Sequence, residues 1–140
     1  MNELIAYLTA IKGYAKNIHY TCHSGDFYSK HIFADLISDP IADFIDKIKE
    51  VCLLGHFPVG ERPLETSKYD KMASLLYPNT SESDDKANFK RIQELIITTL
   101  NLIEKLEGLT KGEENLIGAI AEHLQQMNGL LNLQNFFTEL

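Results

Sequence analysis

The sequence predicts an all-α fold, a bundle of four long helices, and three observations carry that prediction. Four long stretches repeat apolar residues at intervals of three and four, the spacing of one helix face. Turn and cap residues separate those stretches. The connection between the second and third stretches is long and punctuated by Gly and Pro, so it reads as a crossover rather than a simple hairpin loop.

Leu4, Ile5, Leu8, Ile11, Tyr14, Ala15 and Ile18 form one apolar stripe, which places helix A over roughly residues 3–22. Ser24 and Gly25 make a turn, and Ser24 or Asp26 offers an N-cap for helix B, running over about residues 27–54. Pro40 lies inside that span. It has no N–H for the helical ladder and crowds the preceding turn, so a kink or a break is expected there.

Gly55, Pro58, Gly60 and Pro63 open the crossover, within which about residues 65–76 have the spacing of a short helix. Ser81, Ser83, Asp84 and Asp85 favour the start of helix C, with Phe89, Ile92, Leu95, Ile96, Leu100, Ile103 and Leu106 on its apolar face and its end near Gly108. Thr110 offers the cap of helix D, whose stripe is Leu116, Ile117, Ile120, Leu124, Met127 and Leu131. No internal repeat interrupts this order.

At 140 residues the chain is sized for a single domain, 1–140. Apolar residues are 44% and charged residues 24%, an ordinary globular balance. The N-terminal segment has polar residues in every turn and no basic n-region, so neither a signal peptide nor a membrane span is expected, and the default location is cytoplasmic. Cys22 and Cys52 are too few for a disulfide framework and read as small packed thiols. The net charge of −7 argues against DNA binding, because that binding depends on Lys and Arg neutralising phosphates.

The chemistry-bearing pattern is a ladder: His19, His31 twelve residues on, Asp35 four further, Asp46 eleven further and Glu50 four beyond. His31 with Asp35, and Asp46 with Glu50, each project from one helix face and can chelate one metal ion. Eleven residues of helix span about 16 Å, so one ion cannot touch both pairs. Unless Pro40 folds helix B back on itself, a five-ligand site takes one pair from each of two chains. Imidazole with carboxylate suits iron and leaves positions where an oxidant binds. No Glu-x-x-His motif occurs, which argues against a di-iron centre inside one bundle.

The run HYTCHSGDFYSKHIFADLISDPIADFIDKIKEVCLLGHFP resembles the first two helices of the Dps mini-ferritins, which place His, His, Asp, Asp and Glu at the same spacing. LLGHFP resembles that family's Leu-Gly-x-x-Pro turn, and AEHLQQMNGLLN the end of its last helix. The resemblance implies a ferritin-like four-helix bundle whose long BC crossover carries a short helix across the outside. It implies a homo-oligomer, a dodecamer built from two-fold dimers. His19, His31 and Asp35 would come from one subunit, Asp46 and Glu50 from its partner, with Glu50 as the bridging carboxylate. The implied activity is that of a ferroxidase and iron-storage protein, oxidising Fe(II) with hydrogen peroxide and limiting oxidative damage. Twelve such chains would carry about −84, enough to concentrate cations if the acidic groups face pores and cavity. Some members of that family bind DNA through a Lys-rich N-terminal extension, whereas this chain is expected to enter its first helix within a few residues of Met1, so DNA binding is not expected of it.

Blander readings stand beside these. Asp35, Asp39, Asp43, Asp46 and Glu50 also read as a solvated acidic face with Lys47 and Lys49 nearby. The chain would then be a structural or interaction bundle, or a small metal-binding oligomer without storage. Cys22, His23, His56 and His123 are not taken as ligands. Tyr20, where relatives carry Trp, reads first as a packed aromatic with its hydroxyl satisfied. Glu113 and Glu114, in the first turn of helix D, are candidates for an acidic entry pore, although the helix dipole favours acids there in any case.

Overall fold

The computed structural model describes residues 1–23, 25–76 and 84–139. The described elements are α1 (Asn2–Thr21), α2 (Phe27–Lys47), a π-helical continuation of α2 (Ile48–Leu54), α3 (Thr66–Leu76), α4 (Asp85–Glu104) and α5 (Lys111–Glu139). No strand occurs among the described residues. The long helices close a ring: α1 packs on α2 and α4, α5 packs on α4 and α2, and the short α3 lies against α1.

The apolar stripes become the core. Leu4, Ile5, Leu8, Ile11, Tyr14, Ala15 and Ile18 of α1 are all at most 1% exposed, as are Ile92 and Ile96 of α4 and Ile120, Leu124, Met127 and Leu131 of α5. Each large aliphatic side chain so buried stabilises the fold by roughly 1.5–3 kcal/mol relative to exposure, before the entropy of ordering it. Cys22 and Cys52 are free and buried, and burial pushes the Cys52 thiol up to about 11. Polar ties sit between the stripes: Tyr14 Oη donates to Asn88 Oδ1 at 3.0 Å, joining α1 to α4. Gln93 Nε2 donates to Asn128 and Asn132 Oδ1, joining α4 to α5.

Helix B does not break at Pro40. α2 runs through it, and Pro40 is half-buried. In the turn before the proline, the Ile37 carbonyl accepts from His123 Nε2 of α5 at 3.2 Å, which ties this stretch of α2 to the neighbouring helix. Beyond Lys47 the helix widens into π geometry and ends at Gly55. A Cβ at Gly55 would lie 2.8 Å from the Glu50 carbonyl oxygen, so the wide last turn closes only without a side chain.

Of the two caps expected for α2, Ser24 lies outside the described residues, and Asp26 takes the cap position in the left-handed region (φ 65°) through its carbonyl, not its side chain. At α4, Asp84 caps through its side chain, which accepts from Ala87 N–H at 3.0 Å, while Ser81 and Ser83 lie outside the described residues. α4 stops at Glu104, short of the expected end near Gly108, because the Lys105 and Leu106 N–H groups tighten onto the carbonyls three residues back.

Thr110 caps α5 in a reciprocal box. Its Oγ1 accepts from Glu113 N–H at 3.2 Å, and Glu113 Oε1 accepts from Thr110 N–H at 2.9 Å. The other oxygen, Glu113 Oε2, lies 2.7 Å from Arg62 Nη1 and 2.9 Å from His56 Nδ1, and the residue is 1% exposed. Glu113 is therefore the buried anion that fastens the crossover to α5 and not a pore-lining group; Glu114 beside it is exposed. Burial by itself would raise the Glu113 pKa, but the Thr110 N–H, His56 and Arg62 outweigh it and hold the carboxyl below the ordinary glutamate range.

Replacing Glu113 with Ala removes the buried anion that Arg62 and His56 Nδ1 share, leaving His56 with Glu61 alone, and urea unfolding should show a loss of about 3–5 kcal/mol. A depressed folded-state pKa stabilises at pH values above the ordinary glutamate range. The difference in unfolding free energy between wild type and Glu113→Gln should therefore be full at neutral pH and shrink as pH falls through the folded-state pKa.

Candidate metal centre

His19 sits in the last turn of α1 and His31 in the second turn of α2, on the two sides of the tight α1–α2 turn. Their rings stack with centroids 3.5 Å apart and planes 23° from parallel. Each ring bonds the other residue's backbone: His19 Nδ1–H donates to the His31 carbonyl at 3.0 Å, and His31 Nδ1–H donates to the His19 carbonyl at 2.7 Å. The reciprocal pair fixes both rings in the same tautomer, with the lone pair on Nε2. Metal-binding histidines are commonly oriented in this way, one nitrogen held by a carbonyl and the other left to donate. Neither Nε2 has a hydrogen-bond partner among the described residues.

Asp35, one helical turn after His31, turns its Oδ1 to within 3.1 Å of His19 Nδ1. The fold thus gathers three of the five ladder residues, His19, His31 and Asp35, around the α1–α2 seam. Lys16, not foreseen as part of the group, lies one turn before His19 and places Nζ 2.8 Å from Asp35 Oδ1 and 3.2 Å from Asp39 Oδ1. Its spacing of three from His19 was the available signal. Bonding to Lys16 holds the Asp35 carboxyl below its usual range, against a smaller opposing effect of burial, and His19 lowers it further. Asp35 raises Lys16 in return.

Asp46 and Glu50 stand apart from this group. Both are exposed, Asp46 on α2 and Glu50 on its π-helical continuation, and no hydrogen bond or ion pair joins either to another described residue. With α2 continuous, Asp46 is about 16 Å along the helix from Asp35. Among the described residues no three His, Cys, Asp or Glu side chains of one chain are grouped to hold a metal ion.

Aromatic rings border the histidine pair. Phe27 stacks on His31 at 5.4 Å, and the Tyr20 ring meets His19 edge-on at 4.9 Å. Tyr20 is 75% exposed, so it is not the packed aromatic expected from its place next to His19. The remaining histidines have other contacts. His56 lies between Glu113 and Glu61, His123 bonds the Ile37 carbonyl, and His23 Nδ1 lies 3.2 Å from the Thr21 carbonyl and 3.4 Å from Asp85 Oδ1. No described helix is long and apolar enough to cross a membrane.

No protein-family model matches the chain, and no curated protein or solved structure is significantly similar to it.

Two outcomes are expected from NMR. Long-range ¹⁵N–¹H spectra of the neutral rings should show the Nδ1–H tautomer at both His19 and His31. In Lys16→Met, the Asp35 carboxyl should titrate at higher pH than in wild type, read from its ¹³C shift.

Proposed function

We propose that this chain is a Dps-like mini-ferritin, a ferroxidase and iron-storage subunit whose metal site is shared between two copies. The observation that carries the reading is the reciprocal His19–His31 clamp, which occupies both Nδ1 atoms and leaves both imidazole Nε2 atoms without a described partner at a seam that also holds Asp35. Two neutral nitrogens and a carboxylate suit Fe(II). Asp46 and Glu50 of a second copy complete the set, because continuity of α2 keeps the chain's own Asp46 and Glu50 away from its own histidines.

In this reading His19 and His31 hold Fe(II) as neutral donors, Asp35 and Asp46 supply charge, and Glu50 bridges. Lys16 must release Asp35 as the cation arrives, so iron entry exchanges one positive partner for another. Each Fe(II) gives up one electron; hydrogen peroxide accepts two with cleavage of its O–O bond, and two protons from solvent complete two waters. The Fe(III) product then passes to a mineral core inside a dodecameric shell, an assembly that the resemblance alone implies. Consuming Fe(II) and peroxide together limits oxidative damage.

The Lys16–Asp35 pair at 2.8 Å favours a second reading, in which the acidic face of α2 is held by lysine and the bundle serves only assembly. One experiment separates the two. Fe(II) oxidation by peroxide is followed by absorbance on wild type and on a His31→Ala, Asp46→Ala double variant, with native mass and helix content recorded for both. The ferroxidase reading expects a rate at least about 100-fold lower in a variant that still folds and assembles. Equal rates in the two proteins would leave the bundle reading.

A further inference from the structure

Release of Asp35 to a metal ion needs another place for the ammonium that holds it, and α2 supplies one. Lys16 Nζ lies 2.8 Å from Asp35 Oδ1 and 3.2 Å from Asp39 Oδ1, so one cation bridges two carboxylates a helical turn apart. The two differ in setting: the Asp35 side chain is 28% exposed and faces the histidine seam, whereas that of Asp39 is 64% exposed. The hydroxyl of buried Ser38 lies 3.4 Å from Asp39 Oδ1, the oxygen that also meets the lysine.

Without the ammonium, two like charges at this spacing repel. With it, one negative charge remains on the trio. Asp35 Oδ1 is also the oxygen that approaches His19 Nδ1, at 3.1 Å. The carboxylate oxygen nearest the histidine pair therefore already carries a cation, and an ion that takes it must break a charge-assisted hydrogen bond rather than displace water alone.

We propose that Lys16 is a resident cation that competes with the metal ion for Asp35 and withdraws onto Asp39 as the ion binds. This competition presupposes the metal-centre reading of His19, His31 and Asp35. Both bonds of the ammonium exist before the ion arrives, so withdrawal breaks one and keeps the other. The flexible four-carbon stem of lysine accommodates the shift. Asp39 is then not a ligand but the acceptor that lets Asp35 go. Because the bond broken belongs to the protein, it weakens binding of every ion by the same factor, the fraction of chains in which Asp35 is free. Lys16 thus sets the concentration at which the centre loads and leaves the choice among ions to the donors.

Co(II), which takes the same nitrogen and oxygen donors without being oxidised in the absence of peroxide, is the probe. Its affinity is measured on the full chain by calorimetry and visible absorption, with native mass and helix content recorded for each variant. Lys16→Met keeps most of the stem and removes the cation, and should bind Co(II) roughly two- to five-fold more tightly, the range of a partly exposed ion pair. Asp39→Asn removes the second acceptor and should weaken binding.

A plain field effect predicts the same two signs, since one variant removes positive charge and the other negative. The double variant separates the two causes. If Asp39 acts through Lys16, Asp39→Asn should cost at least about three-fold more affinity with Lys16 present than in the Lys16→Met background. An equal cost in both backgrounds, or a Co(II) affinity that is unchanged or lower in Lys16→Met, would overturn the proposal. His31→Ala distinguishes this failure from that of the function. If His31→Ala loses Co(II) while Lys16→Met leaves the affinity unchanged, the metal centre stands and the competing lysine falls. If His31→Ala binds Co(II) as tightly as wild type, the centre itself falls and the lysine's role with it.

Discussion

A helix advances 1.5 Å per residue, and α2 is one helix from Phe27 to Lys47. That rigidity governs the rest of the site. It holds Asp35 and Asp46 too far apart to meet on one ion and leaves Asp46 and Glu50 in solvent. Pro40 is the residue most able to abolish this arrangement, and the helix passes through it with His123 of α5 bonded to the carbonyl of Ile37 in the turn before. α5 thus grips the turn that precedes the proline.

Two polar clusters tie the chain at opposite ends of the bundle, and they differ in what each leaves free. At the α1–α2 turn, both histidine Nδ1 atoms are bonded to carbonyls while both Nε2 atoms remain without described partners. At the start of α5, both oxygens of Glu113 and both ring nitrogens of His56 are occupied. That cluster is a fastening between crossover and α5, with no donor left for a ligand. Lys16 gives the first cluster an internal cation, which neutralises Asp35 in the isolated chain and must yield to any metal.

Much of the fold was legible in the sequence because helical periodicity and core burial share one cause: a side chain every third or fourth residue faces the same neighbour. Every residue of the α1 stripe from Leu4 to Ile18 is buried, and the short crossover helix occupies Thr66–Leu76, one residue inside its expected start. Helix ends were less legible. α4 stops four residues short of Gly108, and the last turns of helix B widen to π geometry, because such endings depend on which carbonyl a few N–H groups choose. In the site, His19, His31 and Asp35 lie along one seam, whereas Lys16 was overlooked, its charge being ordinary on a helix surface.

The sequence by itself determined the helical class, the apolar faces, the cap at Thr110 and the spacing of the five candidate donors, since each depends on residues within a few turns of one another. Only the tertiary structure decided that Pro40 leaves α2 whole, that Glu113 is buried in an ion-paired fastening, that Tyr20 faces solvent and that the His19 and His31 rings lock each other's tautomer. Those outcomes depend on groups from segments far apart in the chain meeting at hydrogen-bond distance, which local periodicity does not encode.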